Sequence, residues 1–318
     1  SGVNSNQEVT PDECKTGSAR ILNSTTNKTK SNAWTYQVGL DWQASDDIFA
    51  YAVTRKGYRA GGVNTPSLAG RLTQFQSFQP EKVQDVEIGL KTEFRAGDLK
   101  MRLNTSGFIG WYDGVQVPLS GLNTQRGCDA TRTDNPNRFS PDGDCSPNND
   151  PSGGTLLVNA GKSRVSGVDI SGMVATTSGV SLNFGATFLD PKSRSVSVPA
   201  TLLSYLASPE VPFNYAAKTT LNLGARWELP TPAALGQAVV SIDYYYSSEI
   251  NHSDLVLPSY DVVNARFEIK NIGGSQLDGS IFVQNLFDKE YLAMGNVGSN
   301  KLGAMSAIYG PPQMYGLQ

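Results

Sequence analysis

DVEIGLKTEF, the stretch at residues 85–94, alternates between two kinds of residue along its whole length. One set of alternate positions holds Val86, Ile88, Leu90, Thr92 and Phe94, and the other holds Asp85, Glu87, Gly89, Lys91 and Glu93. Successive side chains of a β-strand point to opposite faces of a sheet, so a period of two is typical of a strand. The stretch therefore predicts a β-strand with one apolar face and one charged face.

The same period recurs along the chain, whereas the period of 3.6 residues that marks an amphipathic helix is scarcely present. Tyr36, Val38, Leu40 and Trp42, for example, alternate with polar or small residues. Eleven segments are strand candidates: 34–43, 48–60, 85–94, 98–117, 155–177, 181–188, 221–227, 240–246, 263–269, 277–292 and a stub at 313–318. The pattern predicts an all-β protein.

The links between these candidates alternate in length. Short links lie at 43–47, 95–98, 177–180, 230–237 and 271–276. Long links lie at 61–81, 118–154, 195–212, 248–258 and 293–312, and the opening residues 1–33 are predicted to be a sixth. This alternation predicts an antiparallel up-and-down sheet with tight turns at one end and long loops at the other.

The lengths of the strands distinguish two kinds of β-protein. Strands of soluble sandwiches usually have about 5 to 6 residues, whereas several candidates here run well beyond that length. A strand of about 14 residues is ~46 Å long and rises ~35 Å when it is tilted by ~40°, which exceeds an apolar membrane band of ~25 Å. The lengths favour a transmembrane β-barrel over a soluble β-protein, which stays as an alternative.

The charged face of the predicted strands indicates what such a barrel would enclose. Residues predicted to face inward are Asp85, Glu87, Lys91, Glu93, Arg102, Asn104, Asp243, Arg266, Glu268 and Lys270. Burying this many charges in a dry core would cost too much free energy. We therefore expect a wide lumen that holds water or a polar plug.

Composition and motifs exclude several other classes. No window reaches the roughly 18 consecutive apolar residues of a spanning helix. The 26 Lys and Arg against 29 Asp and Glu provide no basic field for nucleic acid. No GxSxG, HExxH or phosphate-binding loop is present in its required context, so we expect no enzyme and no cofactor. The opening SGVNSNQEVTPDECKTG contains no signal peptide, which predicts either a cytoplasmic protein or an N-terminus outside this sequence.

Six motifs give the chain a family resemblance. They are YAVTRKGYRAGGVN at 51–64, FQPEKVQDVEIGLKTEF at 78–94, NAGKSRVSGVDI at 159–170, PFNYAAKTTLNLGARW at 212–227, YDVVNARFEI at 260–269, and VQNLFDKEYL at 283–292 with YGPPQMYGLQ at 309–318. In this order they resemble the C-terminal barrel of TonB-dependent outer-membrane receptors. The block from Asn285 to Tyr291 is the most specific of them.

The resemblance implies a barrel of about 22 strands closed by a separate plug domain, with the long loops outside the cell. Residues 34–318 would then be the C-terminal half of the barrel, an open half-barrel, and residues 1–33 part of an extracellular loop. The plug, and the last residues of the final strand, are expected to lie outside this sequence.

The function that the resemblance implies is active uptake of a scarce solute, most often a ferric siderophore, through the outer membrane of a Gram-negative bacterium. The partners would be the TonB energy transducer, a small metal-chelate ligand, and outer-membrane lipid with lipopolysaccharide. A passive porin-like channel or an adhesin is the alternative, because the same period of two suits it.

Two regions supply candidate ligand-binding residues. Arg55, Lys56, Tyr58 and Arg59 lie near the loop end of a strand, where they would attract an anionic ligand or lipopolysaccharide phosphates, or simply end the strand. The loop 118–154 adds Arg126 and Arg132 as ligand contacts, and Asp142 and Asp144 as a minimal calcium-loop alternative. A solvated loop with no site is the competing interpretation.

The cysteines bear on the compartment. Cys128 and Cys145 are predicted to form a disulfide within this loop, which implies an oxidising compartment, with free thiols as the alternative. Cys14 has no evident partner, and His252, the single histidine, is expected to be a solvated loop residue rather than a haem ligand.

Overall fold

The structure is a computed structural model, and it describes residues 28–64, 74–119, 156–159, 161–196, 216–252, 255–297 and 305–318. Nineteen strands lie in these ranges: β1 (Tyr36–Ser45), β2 (Ile48–Arg59), β3 (Gly62–Val63), β4 (Ser77–Phe78), β5 (Glu81–Ala96), β6 (Leu99–Asp113), β7 (Gln116–Leu119), β8 (Leu156–Asn159), β9 (Gly161–Thr176), β10 (Val180–Val196), β11 (Thr219–Glu228), β12 (Gln237–Ser247), β13 (Ile250–His252), β14 (Leu255–Leu257), β15 (Tyr260–Lys270), β16 (Gly279–Gln284), β17 (Leu292–Val297), β18 (Met305–Tyr309) and β19 (Met314–Leu317). A short 3-10 helix spans Ile272–Gly274. No helix in the described ranges is long and apolar enough to cross a membrane.

Eleven of the strands form one antiparallel sheet. Its order is β1-β2-β5-β6-β9-β10-β11-β12-β15-β16-β19, so each strand pairs with the next sheet strand along the chain. Each of the eleven segments predicted from the sequence overlaps one of these strands. The predicted all-β, up-and-down antiparallel architecture is confirmed.

The links of the sheet alternate between short and long as expected. The short ones run at 46–47, 97–98, 177–179, 229–236 and 271–278. The remaining small strands lie in the long links, where they form the two-stranded ladders β3–β4, β7–β8, β13–β14 and β17–β18. The two ends of the sheet therefore differ, and we call them the turn end and the loop end.

Three predicted segments belong to the main sheet over only part of their length. The sheet strand in 98–117 stops at Asp113, because Gly114 adopts a left-handed conformation with φ 69°. The segment 155–177 contains two strands, β8 and β9, and only β9 is part of the main sheet. The strand in 277–292 stops at Gln284, since Asn285 is left-handed with φ 52°. Alternation of residue type thus continues past points where the backbone leaves the sheet.

The two faces of the sheet differ in chemistry as predicted. Val86, Ile88, Leu90 and Phe94 of β5 lie on one face and are 36% to 61% exposed. The register partners of Val86, Ile88 and Leu90 on β2 are Thr54, Ala52 and Ala50, which continue this face. Six apolar side chains are buried in the described part of the chain, namely Val115, Leu156, Val158, Ala238, Val239 and Leu257. Most apolar area of the strands therefore covers an outer surface instead of a core.

Aromatic rings cover glycines on neighbouring strands. The pairs are Tyr51 with Gly89, Phe78 with Gly62, Phe108 with Gly167, Phe184 with Gly172, and Phe282 with Gly316, and each pair is directly opposite in register. A Cβ atom added to any of these glycines would lie within about 3 Å of the ring. The missing side chain makes room for the ring, so these pairs make the register of the sheet specific.

Candidate functional site

The charged face of the sheet is the wall that the sequence predicted to face inward. The register places all the predicted residues on this face, and we call it the polar face: Asp85, Glu87, Lys91, Glu93, Arg102, Asn104, Asp243, Arg266, Glu268 and Lys270. Their alternate neighbours form the apolar face described above. The prediction of one charged side and one apolar side is confirmed.

Arg55 lies at the centre of a charge network on the polar face. Its Nε lies 2.9 Å from Asp85 Oδ1, and its second terminal nitrogen lies 2.5 Å from Glu87 Oε2. The hydroxyl of Tyr51 donates to the other Glu87 oxygen at 2.6 Å. Glu87 therefore accepts from two different side chains, and the guanidinium of Arg55 already has carboxylate partners.

Lys91 lies on the other side of Tyr51. Its Nζ is 5.6 Å from the centre of the Tyr51 ring and 5.8 Å from that of Phe49, within the range of a cation–π interaction. The ring of Tyr51 covers Gly89, and an added Cβ there would overlap the ring. Gly89 is thus required for the placement of Tyr51, which links Lys91 to the Arg55 network.

Further ion pairs continue across the polar face toward the turn end. Arg102 Nε donates to Glu93 at 2.6 Å, and Arg226 lies 3.0 Å from Glu228. Glu268 lies between Arg266 at 3.9 Å and Lys270 at 3.7 Å. These side chains are partly exposed, so each pair contributes little to stability on its own. Their abundance fits a wall in contact with water.

The four candidate residues at 55–59 do not form one cluster. Arg55 and Arg59 lie on the polar face, opposite Asp85 and Glu81. Lys56 and Tyr58 lie on the apolar face, opposite Gln84 and Lys82. The period of two that predicted the strand also separates these neighbours, and this signal was available in the sequence.

The other candidates lie outside the described residues. Arg126 and Arg132, the acidic pair Asp142 and Asp144, the proposed disulfide of Cys128 with Cys145, and Cys14 all belong to this group. His252 is in β13, and its side chain is not described. In the described ranges, no three His, Cys, Asp or Glu side chains come together in a way that would hold a metal ion.

Two asparagine side chains hold the bases of the first two long links together. Asn64, in the link after β2, accepts from Leu157 N at 2.8 Å and donates to Leu157 O at 2.9 Å. Asn159, in the link after β6, accepts from Gln79 N at 2.7 Å and donates to Gln79 O at 2.8 Å. Each amide side chain thus hydrogen-bonds both the N–H and the C=O of one residue in the opposite link. A neighbouring β-strand would pair with those two backbone groups in the same way.

Gln116 completes this arrangement, which we call the amide clamp (Asn64, Gln116 and Asn159). Its Nε2 donates to Ala60 O at 2.9 Å and to Gln79 O at 3.1 Å, so it joins the two ends of the link 60–80. Asn64 is 5% exposed and Gln116 is 7% exposed. The sequence analysis missed these residues because their partners are far away in the chain, up to 93 positions for Asn64.

We expect Asn64→Ala to release the link 60–80 from β8. The substitution removes the side-chain partners of the amide and carbonyl of half-buried Leu157, at a cost of about 2 to 3 kcal/mol. Hydrogen exchange at the Leu157 amide of the full-length protein should accelerate by about tenfold or more. Asn222→Ala is the matched control, since Asn222 is exposed and its side chain makes no hydrogen bond within the described ranges. Equal exchange at Leu157 in both variants would contradict a clamp.

The block from Asn285 to Tyr291 forms a second fixed corner at the loop end. Asn285 is 3% exposed, donates to Lys289 O at 2.9 Å and Pro311 O at 3.1 Å, and accepts from Lys289 N at 2.8 Å. The ring of Tyr291 stacks on Tyr260 with centres 4.4 Å apart, and it also lies against Gly310. The two motifs at 283–292 and 309–318 therefore join each other.

A comparison with protein families matches most of the chain. The model described as TonB dependent receptor-like, beta-barrel matches residues 6–286. This range includes ten of the eleven strands of the main sheet.

Solved structures with the same fold come from several Gram-negative species. The ferric yersiniabactin uptake receptor FyuA from Yersinia pestis matches 88% of this chain and 36% of its own, at 16% identity and a TM-score of 0.60. The ferric preacinetobactin receptor BauA from Acinetobacter baumannii matches 92% and 37%, at 20% identity and 0.56. The ferripyoverdine receptor of the outer membrane of Pseudomonas aeruginosa matches 88% and 31%, at 16% identity and 0.54. The chain spans about a third of the length of these proteins, and at such identities the likeness shows the fold.

Proposed function

The chain belongs to the family of TonB-dependent receptor β-barrels, and from that premise we propose that it forms part of an outer-membrane receptor for active uptake of a ferric siderophore. Transport would be driven by the TonB system. The observation that carries the proposal is the eleven-stranded sheet with a charged wall on one side and an apolar surface on the other. Such a sheet separates a wet lumen from lipid.

The sheet also supports a proposal about the rest of the barrel. In the described part of the chain, β1 and β19 each pair with one strand of the main sheet and leave their second edge unpaired. An open edge does not persist in a bilayer, because its backbone groups would lack hydrogen-bond partners. We propose that residues 34–318 supply about half of a barrel of roughly 22 strands, with residues 1–33 in an extracellular loop and a plug filling the lumen.

The choice of cargo rests on the charges and on the fold. Three relatives of the same fold are named as receptors for ferric siderophores, which are bulky metal chelates. Arg59 at the loop end of the polar face is a proposed ligand contact, together with the loop residues Arg126 and Arg132. Arg55 is a weaker contact than Arg59, since Asp85 and Glu87 already engage its guanidinium. Lys56 and Tyr58 lie on the opposite face and are not proposed as contacts of the transported ligand.

Uptake of radioiron presented as a panel of ferric siderophores tests this function. The full-length gene is expressed in iron-starved cells that lack their own receptors, with and without an intact TonB system. We expect at least one siderophore to accumulate in the TonB-positive cells and to remain at surface-bound levels in the TonB-negative cells.

The same experiment distinguishes the passive alternative. A porin-like channel would admit radioiron equally in both strains, and an adhesin would admit none in either. Either outcome would contradict active transport.

Arg59→Gln should weaken binding of the accumulated siderophore, whereas Arg95→Gln, which removes the same charge from the turn end of the polar face, should leave it unchanged.

A further inference from the structure

One row of residues on the polar face differs from the ion-paired residues around it. The register places its five members directly opposite one another on β5, β6, β9, β10 and β11: Lys91, Asn104, Ser171, Gly185 and Asn222. We call these five residues the donor row. Five adjacent strands at a spacing of ~4.8 Å make the row about 19 Å long. Its side chains supply one ammonium, two amides and one hydroxyl, all of which donate hydrogen bonds.

Lys91 is the charged member of the donor row. Arg55 and Arg102, on the neighbouring strands β2 and β6, are ion-paired with carboxylates. Among the described side chains Lys91 forms no such pair, and its Nζ lies 5.6 Å and 5.8 Å from the ring centres of Tyr51 and Phe49. An aromatic ring attracts a cation without neutralising its charge. The ammonium therefore remains available to an anion on this face.

The uncharged members of the donor row are open as well. Ser171 and Asn222 are exposed, and Asn104 is half-buried. Within the described ranges, the side chains of these three residues make no hydrogen bond. Gly185 lies between Ser171 and Asn222, and even an added Cβ there would be 3.8 Å from the Asn222 amide nitrogen. The row thus combines donors that lack protein partners with a gap in the wall.

A cavity of about 280 Å³ lies against the donor row and is lined by all five of its members. The carboxylate in this lining, Asp169, accepts from Thr187 Oγ1 at 2.7 Å. Asp169 is two strands away from Lys91, about 10 Å at a spacing of ~4.8 Å, so the two charges face different parts of a bound molecule. A second cavity of about 380 Å³ lies toward the turn end and shares Lys91 and Asn104 with the first.

The donor row is far from the loop end of the sheet. On four strands its members lie five positions from the last residue at the turn end, namely Ala96, Leu99, Thr176 and Val180. Arg59, the proposed ligand contact, lies opposite Glu81, ten positions from Lys91 along β5. Ten positions extend ~33 Å along a strand and rise ~25 Å at a tilt of ~40°. A solute held at Arg59 therefore meets the row only after it has entered the lumen.

We propose that the donor row is a transit site, which holds an oxyanion-bearing metal chelate on its way through the lumen. Lys91 binds a charged oxygen of the chelate, because charge-assisted hydrogen bonds are the strong ones. The amides of Asn104 and Asn222 and the hydroxyl of Ser171 bind its carbonyl and hydroxyl groups. This inference rests on the proposed function, since it requires a solute to pass along the polar face.

Initial rates of uptake, compared with binding at the cell surface, test the transit site. The probe is the radioiron siderophore that the native full-length receptor accumulates from the panel, and surface binding is measured in the TonB-negative cells. Lys91→Gln should lower the maximal uptake rate by about tenfold, as expected for the loss of one hydrogen bond to a charged group. It should leave the dissociation constant at the surface unchanged. Lys91→Arg keeps the charge and should keep most of the rate.

Lys100→Gln is the matched control for this substitution. It removes the same charge from the polar face of the adjacent strand β6, at a position that lines neither cavity. Its uptake rate should equal that of the native receptor. Heat-modifiable migration on a gel verifies that each variant is folded.

A second variant keeps the test decisive if Lys91→Gln fails to fold. Asn222→Asp places a carboxylate at the other end of the donor row, where it should repel the oxyanion and lower the maximal uptake rate by about fivefold. Asn271→Asp adds the same charge in the exposed link 271–278 and should leave the rate unchanged.

The outcomes separate the transit site from the proposed function. Native uptake rates for both Lys91→Gln and Asn222→Asp would overturn the transit site and leave the receptor function in place. Weaker surface binding by Lys91→Gln would also overturn it, because Lys91 would then belong to the capture site. Entry of radioiron into TonB-negative cells through this variant would overturn it too, since Lys91 would then hold the plug. Absence of TonB-dependent uptake by the native receptor would refute the receptor function, and the transit site with it.

Discussion

Asn285→Ala is expected to destabilise the full-length receptor by about 3 to 5 kcal/mol, because it removes three hydrogen bonds at a buried position and strains the backbone. Asn285 is left-handed with φ 52°, a conformation that Asn adopts more readily than Ala. Its side chain ties Lys289 to Pro311 and so joins the end of β16 to the segment that enters β19. Unfolding in guanidinium of the receptor folded into lipid vesicles measures the effect.

Asn271→Ala is the matched control for this substitution. Asn271 has φ 51° but makes no side-chain capping bond, and it lies exposed in the short link 271–278. The control should therefore cost about 1 kcal/mol, which is the backbone strain alone. Asn285→Gly should fall between the two alanine variants, since Gly accepts the backbone conformation without supplying the bonds. Equal costs for Asn285→Ala and Asn271→Ala would show that the corner contributes no stability.

Gly167→Ala should destabilise the sheet by about 3 kcal/mol, because a side chain there has no room. An added Cβ would lie 2.6 Å from the carbonyl oxygen of Phe188 and 2.8 Å from the ring of Phe108. The ring can turn away, but the carbonyl oxygen belongs to the neighbouring strand β10 and moves only with it. The same unfolding measurement gives the difference.

Gly185→Ala is the control on the same polar face. An alanine Cβ there would be no closer than 3.8 Å to any neighbour, so the change should stabilise the strand by up to about 1 kcal/mol. Opposite signs for the two substitutions are the expected result. If both were neutral, the aromatic rings would not depend on the glycines they cover.

Much of the fold was predictable because a strand is a local structure. In residues 85–94 the alternation of Val86, Ile88 and Leu90 with Asp85 and Glu87 follows from backbone geometry alone. The structure confirms this strand as β5, and likewise the other ten, the alternation of their links, and the charged wall.

The candidate site was predictable to a smaller extent. Arg55 was identified as a charged residue near a strand end, yet its carboxylate partners come from β5, thirty or more positions away. The amide clamp gave no signal, since Asn and Gln in a polar loop resemble any solvated residue until their partners are known. The extent of β6 was overestimated for a similar reason, because Gly114 in the sequence does not reveal that its backbone turns out of the sheet.

Alternation along the chain was therefore enough to determine the class of fold, the two faces of each strand and the order in which strands follow one another. Tertiary structure alone decided which residue lies opposite which, and hence the pairing of Gly167 with Phe108 and of Asn64 with Leu157. The physical reason is that the direction of a side chain depends on its own backbone, whereas its register depends on every partner strand that it must fit.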